Sequence, residues 1–133
     1  MSKLVLANGC FDIFHIGHVL YLEEAAKMGD ELVVSVTRDK FVNKGPGRPM
    51  FNEEQRAYIV KSMRCVSRVF LCDGAIDALE QAQPDIFVKG SDYQGKIEPH
   101  HQKYCDDHKI KIRFTGTPIF STTKIIHDRL RTG

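Results

Sequence analysis

Mostly apolar runs recur along this chain at Leu4 to Ala7, Leu32 to Val36, Val66 to Leu71, Asp85 to Val88 and Ile110 to Phe114, each followed by helical spacing or a loop. Short runs that stay apolar at consecutive positions predict strands covered on both faces. Strands alternating with helices predict a parallel sheet built by right-handed crossovers. Val19, Leu22, Ala25 and Ala26 mark the apolar side of a helix over 17–28, entered through an Asn8-Gly9 turn and closed by Gly29 as a C-cap. Asn52 with Gln55 three residues on predicts an Asx-capped helix over about 53–64 that buries Ala57, Ile59, Val60 and Met63. A helix over 73–83 ends at Pro84, Pro99 opens another through Asp107, and 122–131 makes the last, with Ile125, Ile126 and Leu130 apolar. The expected fold class is α/β: one Rossmann-like domain over 1–133, with a five-stranded parallel sheet flanked by helices.

A length of 133 residues suits one domain with a real core and is too short for two ordinary ones. With 42% hydrophobic and 27% charged residues, a largely disordered chain is excluded. The formal net charge of +2 is too small to argue for nucleic acid or a membrane surface as a partner. No apolar run reaches bilayer length, and Met1-Ser2-Lys3 leads into a strand rather than a secretion signal, so a cytoplasmic protein is expected. Cys10, Cys65, Cys72 and Cys105 form no C-x-x-C pair, which fits reduced thiols.

In an open parallel sheet, ligands bind beyond the carboxyl ends of the strands, where strand order reverses. The segments leaving the strands are Asn8 to His18, Thr37 to Met50, Lys89 to Asp92 and Thr115 to Thr123. The first carries Phe14-His15-Ile16-Gly17-His18 at a strand-to-helix turn. There the unpaired first-turn N–H groups and the helix dipole can hold a phosphate chain, and Gly17 has no side chain to obstruct it. His15 and His18 can donate to charge building up on a phosphoryl oxygen. Cys10, between Gly9 and Phe11, reads as a small packing residue. Asp12 orients the loop or contacts a substrate. Lys44 and Arg48 stand in a Gly/Pro-rich loop that folds over the substrates or is simply exposed, and Arg56 binds phosphate or pairs with Asn52 or Glu53. Asp92, after Lys89-Gly90, can accept from a ribose or a base edge. Ser121 and Thr122 can cap the last helix while presenting hydroxyls to phosphates. A separate set, His101, Cys105 and His108, would share one helical face at zinc-compatible spacing; the alternative is a solvated helix with Cys105 turned inward. No carboxylate cluster identifies a dedicated metal cage.

The run Asn8-Gly9-Cys10-Phe11-Asp12-Ile13-Phe14-His15-Ile16-Gly17-His18, the Gly29-Asp30 that precedes a Val-rich strand, and Ser121-Thr122-Thr123-Lys124-Ile125 together resemble the nucleotidyltransferase superfamily with the H-x-G-H signature, in its cytidylyltransferase-like branch. The resemblance covers nearly the whole chain. It implies attack of an acceptor phosphate on the α-phosphorus of a nucleoside triphosphate, with release of pyrophosphate and with Mg²⁺ accompanying the nucleotide. It further implies catalytic His15, His18 and Lys44; nucleotide contacts from Gly9, Cys10, Phe11, Gly17, Lys89, Gly90, Asp92, Ser121, Thr122 and Thr123; acceptor contacts from Asp12, Arg48 and Arg56; and a homodimer.

Two subfamilies compete within that branch. Arg48-Pro49, Glu54-Gln55-Arg56 and Val88-Lys89-Gly90-Ser91-Asp92-Tyr93 are similar to the heptose 1-phosphate adenylyltransferases. The Arg-Thr-Glu-Gly run of the glycerol-3-phosphate cytidylyltransferases is replaced by Gly116-Thr117-Pro118-Ile119, so its arginine is missing. Gln94-Gly95-Lys96 is similar to the cytidylyltransferases instead. The balance favours ATP and a sugar phosphate, with CTP and a polyol phosphate as the alternative. A non-catalytic nucleotide-binding module is the reading from another class, and the intact histidine pair argues against it.

Overall fold

Five strands, β1 (Leu4–Gly9), β2 (Glu31–Thr37), β3 (Arg68–Cys72), β4 (Ile86–Lys89) and β5 (Lys111–Phe114), pair in the order β3-β2-β1-β4-β5, every pair parallel. This is a computed structural model, and it describes residues 2–116. Four helices connect the strands: α1 (Ile16–Ala26), α2 (Glu53–Lys61), α3 (Ala75–Ala82) and α4 (Pro99–Asp107). The expected α/β class and five-stranded sheet are present. The expected helix over 122–131 lies outside the described residues, as do Ser121, Thr122 and Thr123. No helix among the described residues is long and apolar enough to cross a membrane.

The strands read as near-continuous apolar runs because both sheet faces are covered, successive side chains pointing to opposite faces. Val5, Ala7, Val34, Val36 and Val88 pack on one face with Leu22 and Ala25 of α1 and Val60 of α2. Leu6, Val33 and Phe87 pack on the other with Ala78 and Leu79 of α3 and Cys105 of α4. Strand order reverses between β1 and β4, so their carboxyl ends open a crevice.

Several boundaries differ from the sequence reading, each for a local reason. Asn8-Gly9 continues β1 instead of turning: both residues pair with β2, and Asn8 Oδ1 accepts from Ser35 Oγ of β2 (2.7 Å) and Cys72 Sγ of β3 (3.3 Å). α1 ends at Ala26 with Lys27 as its C-cap, so Gly29 is no cap. A Cβ at Gly29 would lie 2.6 Å from Val5 Cγ2 and 2.8 Å from the Lys3 carbonyl oxygen, and close packing against β1 is what requires glycine there. α2 stops at Lys61, where Ser62 Oγ donates back to the Tyr58 carbonyl. It buries Arg56 completely and leaves Ile59 37% exposed. α3 begins two residues later than expected, since Asp77 holds the Asp73 N–H and Gly74 takes a φ of 149°.

Two buried charges lace the loop after β1 to the loop after β2. The Asp12 carboxylate accepts from Arg48 Nε (2.7 Å), Met50 N–H (2.8 Å) and Phe51 N–H (3.1 Å). The Arg56 guanidinium donates to the carbonyls of Cys10 (2.7 Å), Thr37 (2.8 Å) and Phe51 (2.9 Å) and to Asp39 Oδ1 (2.6 Å). The Arg56 guanidinium therefore pairs with neither Asn52 nor Glu53, and four of its five N–H groups are taken by these partners. The loop between these anchors carries Lys44, with Gly45 at φ 95° and Gly47 at φ 77°. Burial alone would raise the Asp12 pKa, but the donors from Met50, Arg48 and Phe51 outweigh it and lower it from 3.8 to about 2.

Two stability measurements follow. Gly29→Ala forces Val5 or the β1 backbone to shift and should cost about 1–3 kcal/mol in urea denaturation; an unchanged midpoint would contradict the close-packing account. A carboxylate whose folded pKa is depressed stabilises above its unfolded pKa of 3.8 and loses that contribution as pH falls through about 2. Acid unfolding of Asp12→Asn should lack this component, giving a lower plateau at neutral pH and a shallower fall below ~pH 4; parallel curves for the two proteins would refute the anchoring role.

Candidate active site

The α1 start explains each position of His15-Ile16-Gly17-His18. His15 is the N-cap, and its Nδ1 accepts the Gly17 N–H at 3.0 Å. His18, at the third helical position, returns the bond: its Nδ1 accepts the His15 N–H at 3.1 Å. This is a capping box in which imidazoles stand where Ser/Thr and Glu ordinarily do. A backbone N–H can only donate, so both Nδ1 atoms present lone pairs, and each neutral ring carries its proton on Nε2. A Cβ at Gly17 would lie 2.8 Å from His15 Cε1. Glycine there admits the folded-back His15 ring, which is a stronger requirement than the open phosphate approach expected from sequence.

Aromatic packing holds the pair in place. The His15 and His18 ring centroids are 4.0 Å apart, Phe14 stacks on His18 at 5.2 Å, and Phe11 meets His18 edge-on at 5.4 Å. Phe11 (φ 54°) and Ile13 (φ 50°) adopt the left-handed backbone that non-glycine residues rarely take, strain of the kind that concentrates at functional loops. A Cβ at Gly9 would come within 3.0 Å of the Phe11 ring, so Gly9 makes room for it. Burial lowers the His18 pKa from 6.5 to about 4, helped by the nearby His15 and Lys44. His18 is thus a neutral Nε2–H donor at pH 7.

The first-turn backbone is less available than expected. The Gly17 N–H is taken by His15 Nδ1 and the His18 N–H by the His15 carbonyl at 3.0 Å. What the helix start offers an anion is its dipole, in a first turn without acidic residues, and the Nε2–H groups.

These groups line a cavity of about 310 Å³ at the β1–β4 crevice, a size suited to a nucleotide-class ligand. Its wall includes the predicted Gly9, Cys10, Phe11, His15, Gly17, His18, Lys44, Lys89, Gly90 and Asp92. Lys89 Nζ lies 4.6 Å from the Tyr93 ring centroid and 5.2 Å from that of Phe87. Burial lowers its pKa, while Glu98 and Asp92 act the other way. Gly90 lets Asp92 fold back, since a Cβ would lie 2.7 Å from Asp92 Oδ1.

The three predicted acceptor contacts are not on the cavity wall. Asp12 is buried and committed to the 48–51 loop, Arg56 is fully buried with four of its N–H groups bonded to the protein, and Arg48 directs Nε at Asp12 with its side chain a third exposed. Asp12 keeps the loop-orienting role that was its other reading. The suggested zinc set does not assemble either: Cys105 faces the core, where burial pushes its thiol up to about 11, and the His108 ring stacks on Tyr104 with Nδ1 2.8 Å from that residue's carbonyl oxygen.

Sequence reasoning missed Asn8, Leu20, Tyr21, Glu24, Ser91, Tyr93 and Thr115, which also line the cavity. The signals were present. Gly17, Tyr21 and Glu24 recur at helical spacing on α1, while Ser91, Tyr93 and Thr115 lie just past β4 and β5. Tyr21 is fixed by donating to the Val88 carbonyl at 2.6 Å, and burial raises its pKa.

Comparison with known proteins places this geometry. The model of the cytidylyltransferase-like family matches residues 6–128. A bifunctional protein HldE of Aliarcobacter butzleri is 38% identical over 131 residues, covering 96% of this chain and 27% of that protein. A bifunctional protein HldE of Sulfurimonas denitrificans is 44% identical over 99 residues, covering 71% of this chain and 21% of that protein. The chain thus spans about a quarter of the length of these curated relatives. The crystal structure of the lipopolysaccharide core biosynthesis protein from Thermoplasma volcanium superposes with a TM-score of 0.69 at 32% identity, covering 86% of this chain and 94% of that one. With its reciprocally capped histidines at the sheet's switch point and a family match over almost its full length, the chain belongs to the cytidylyltransferase-like family of nucleotidyltransferases.

Proposed function

We propose that this chain transfers an adenylyl group from ATP to a sugar phosphate such as heptose 1-phosphate, releasing pyrophosphate. The observation that carries nucleotidyl transfer is the pair of Nδ1-capped imidazoles presenting Nε2–H groups to a cavity that Lys44 and Lys89 also line. An acceptor phosphate is already anionic at neutral pH, so the reaction needs no protein base. Its obstacle is repulsion between two anions, and its remedy is a set of fixed donors. His18 fits that requirement: its Nδ1 is occupied, its ring is neutral, and it can only donate at Nε2. His15 donates beside it, Lys44 approaches from its glycine-flanked loop, and Lys89 adds charge from the opposite wall.

The choice of ATP rests on the Val88–Tyr93 segment, on the missing arginine before Ser121, and on the relatives that bear the HldE name. The Glu54-Gln55-Arg56 similarity no longer bears on the nucleotide, because Arg56 serves the loop architecture. Mg²⁺, bound with the triphosphate, would supply charge neutralisation. Glu24 and Asp92 are carboxylates on the cavity wall that would accept from the ion's waters. Homodimer formation and a cytoplasmic location complete the reading.

Pyrophosphate release with Mg²⁺ and either ATP or CTP, across heptose 1-phosphate, glycerol 3-phosphate and flavin mononucleotide, tests the proposal. Turnover is expected with ATP and the sugar phosphate; turnover with CTP alone would overturn the adenylyl reading, and silence across the panel would favour a binding module. His18→Ala should lower kcat on the order of 10²–10³-fold. The parent's kcat should show no His18 ionisation between ~pH 5 and ~pH 8, because that ring titrates near 4.

A further inference from the structure

Outside the cavity, the start of α4 brings together three metal-ligating side chains of Glu98-Pro99-His100-His101. Glu98 occupies the N-cap, where an acidic side chain ordinarily accepts from first-turn N–H groups, yet it makes no side-chain cap bond. Its Oε2 turns instead to two imidazoles, 3.4 Å from His100 Nε2 and 3.7 Å from His101 Nε2. The three donor atoms lie within 4.8 Å of one another, and the two ring centroids are 4.3 Å apart.

An ion bound at ~2.1 Å with tetrahedral angles places its donors ~3.4 Å apart. Two edges of the triangle, 3.4 and 3.7 Å, are therefore close to length, and the third is at most 4.8 Å. Pro99 at the first helical position stiffens the backbone between the ligands. Two imidazole nitrogens and one carboxylate oxygen form a donor set for borderline divalent ions such as Zn²⁺, whereas Mg²⁺ and Ca²⁺ demand oxygen.

We propose that Glu98, His100 and His101 form a surface site for one Zn²⁺-class ion, with water completing the coordination. None of the three lines the nucleotide cavity, although Glu98 lies near enough to the cavity's Lys89 to raise its pKa. It also replaces the His101-Cys105-His108 set that helical spacing suggested.

The test is Zn²⁺ titration of tag-free, chelator-stripped protein against a chromogenic zinc chelator. The parent is compared with Glu98→Gln, His100→Ala and His18→Ala, the last because the cavity histidines are the competing place for the ion. The side chains of Glu98 and His100 are 63% and 65% exposed, so these substitutions leave the fold intact, and far-UV circular dichroism checks it. One ion per chain is expected, with affinity lowered about tenfold or more by Glu98→Gln and by His100→Ala and unchanged by His18→Ala. Absence of saturable binding, or binding that survives both α4 substitutions, or binding abolished by His18→Ala, would overturn the proposal.

Discussion

A ring nitrogen that meets a backbone N–H must offer a lone pair, and this constraint, applied twice at the start of α1, organises the site. His15 accepts from Gly17 and His18 accepts from His15, so each bond that caps the helix also fixes a tautomer. The helix gains its cap, and the cavity gains two donors whose protons are on known atoms. Glycine at 17 follows from the fold-back of the His15 ring, and the Phe11 and Phe14 rings hold His18 in a setting that keeps it neutral. The helix cap and the donor geometry of the site are one arrangement here.

That arrangement is useful only because the sheet puts it beside other charges. The reversal of strand order places the β1 loop next to the β4 loop, so the imidazoles face Lys89, Asp92 and Tyr93 across one cavity. Lys44 comes from a third direction, on a loop held at its base by Asp12 and Arg56. Burying an arginine is costly unless its donors are met. Arg56 meets them with three carbonyls and the Asp39 carboxylate, drawn from the ends of β1 and β2 and from the segment before α2. Gly45 and Gly47 take the left-handed backbone of the loop tip, between ends that are fixed.

The core strands were legible because both faces of the sheet are covered, which leaves runs such as Leu32 to Val36 apolar at almost every position. The histidine motif was legible because its spacing matches one helix start. What was not legible depended on partners remote in sequence. Nothing around Asn8 announces Ser35 and Cys72, so an Asn-Gly pair read as a turn. Nothing local to Arg56 announces the Cys10 and Thr37 carbonyls, so an arginine on the helix of the Glu54-Gln55-Arg56 run read as a ligand group. Asp12 looked able to reach a substrate until the 48–51 backbone closed over it. On α4 the 101-105-108 spacing described a helical face correctly, but Cys105 belongs to the core and His108 to the Tyr104 ring. The histidine that does have metal-ligating neighbours, His101, finds them one and three residues away.

The tautomers of His15 and His18 are the centre of this account, and ¹⁵N-detected NMR of the imidazole nitrogens measures them directly. The expected result is a proton on Nε2 and a lone pair on Nδ1 in the neutral form of each ring, with His18 charging only near pH 4. Protons on Nδ1, or a His18 titration at the ordinary 6.5, would contradict it.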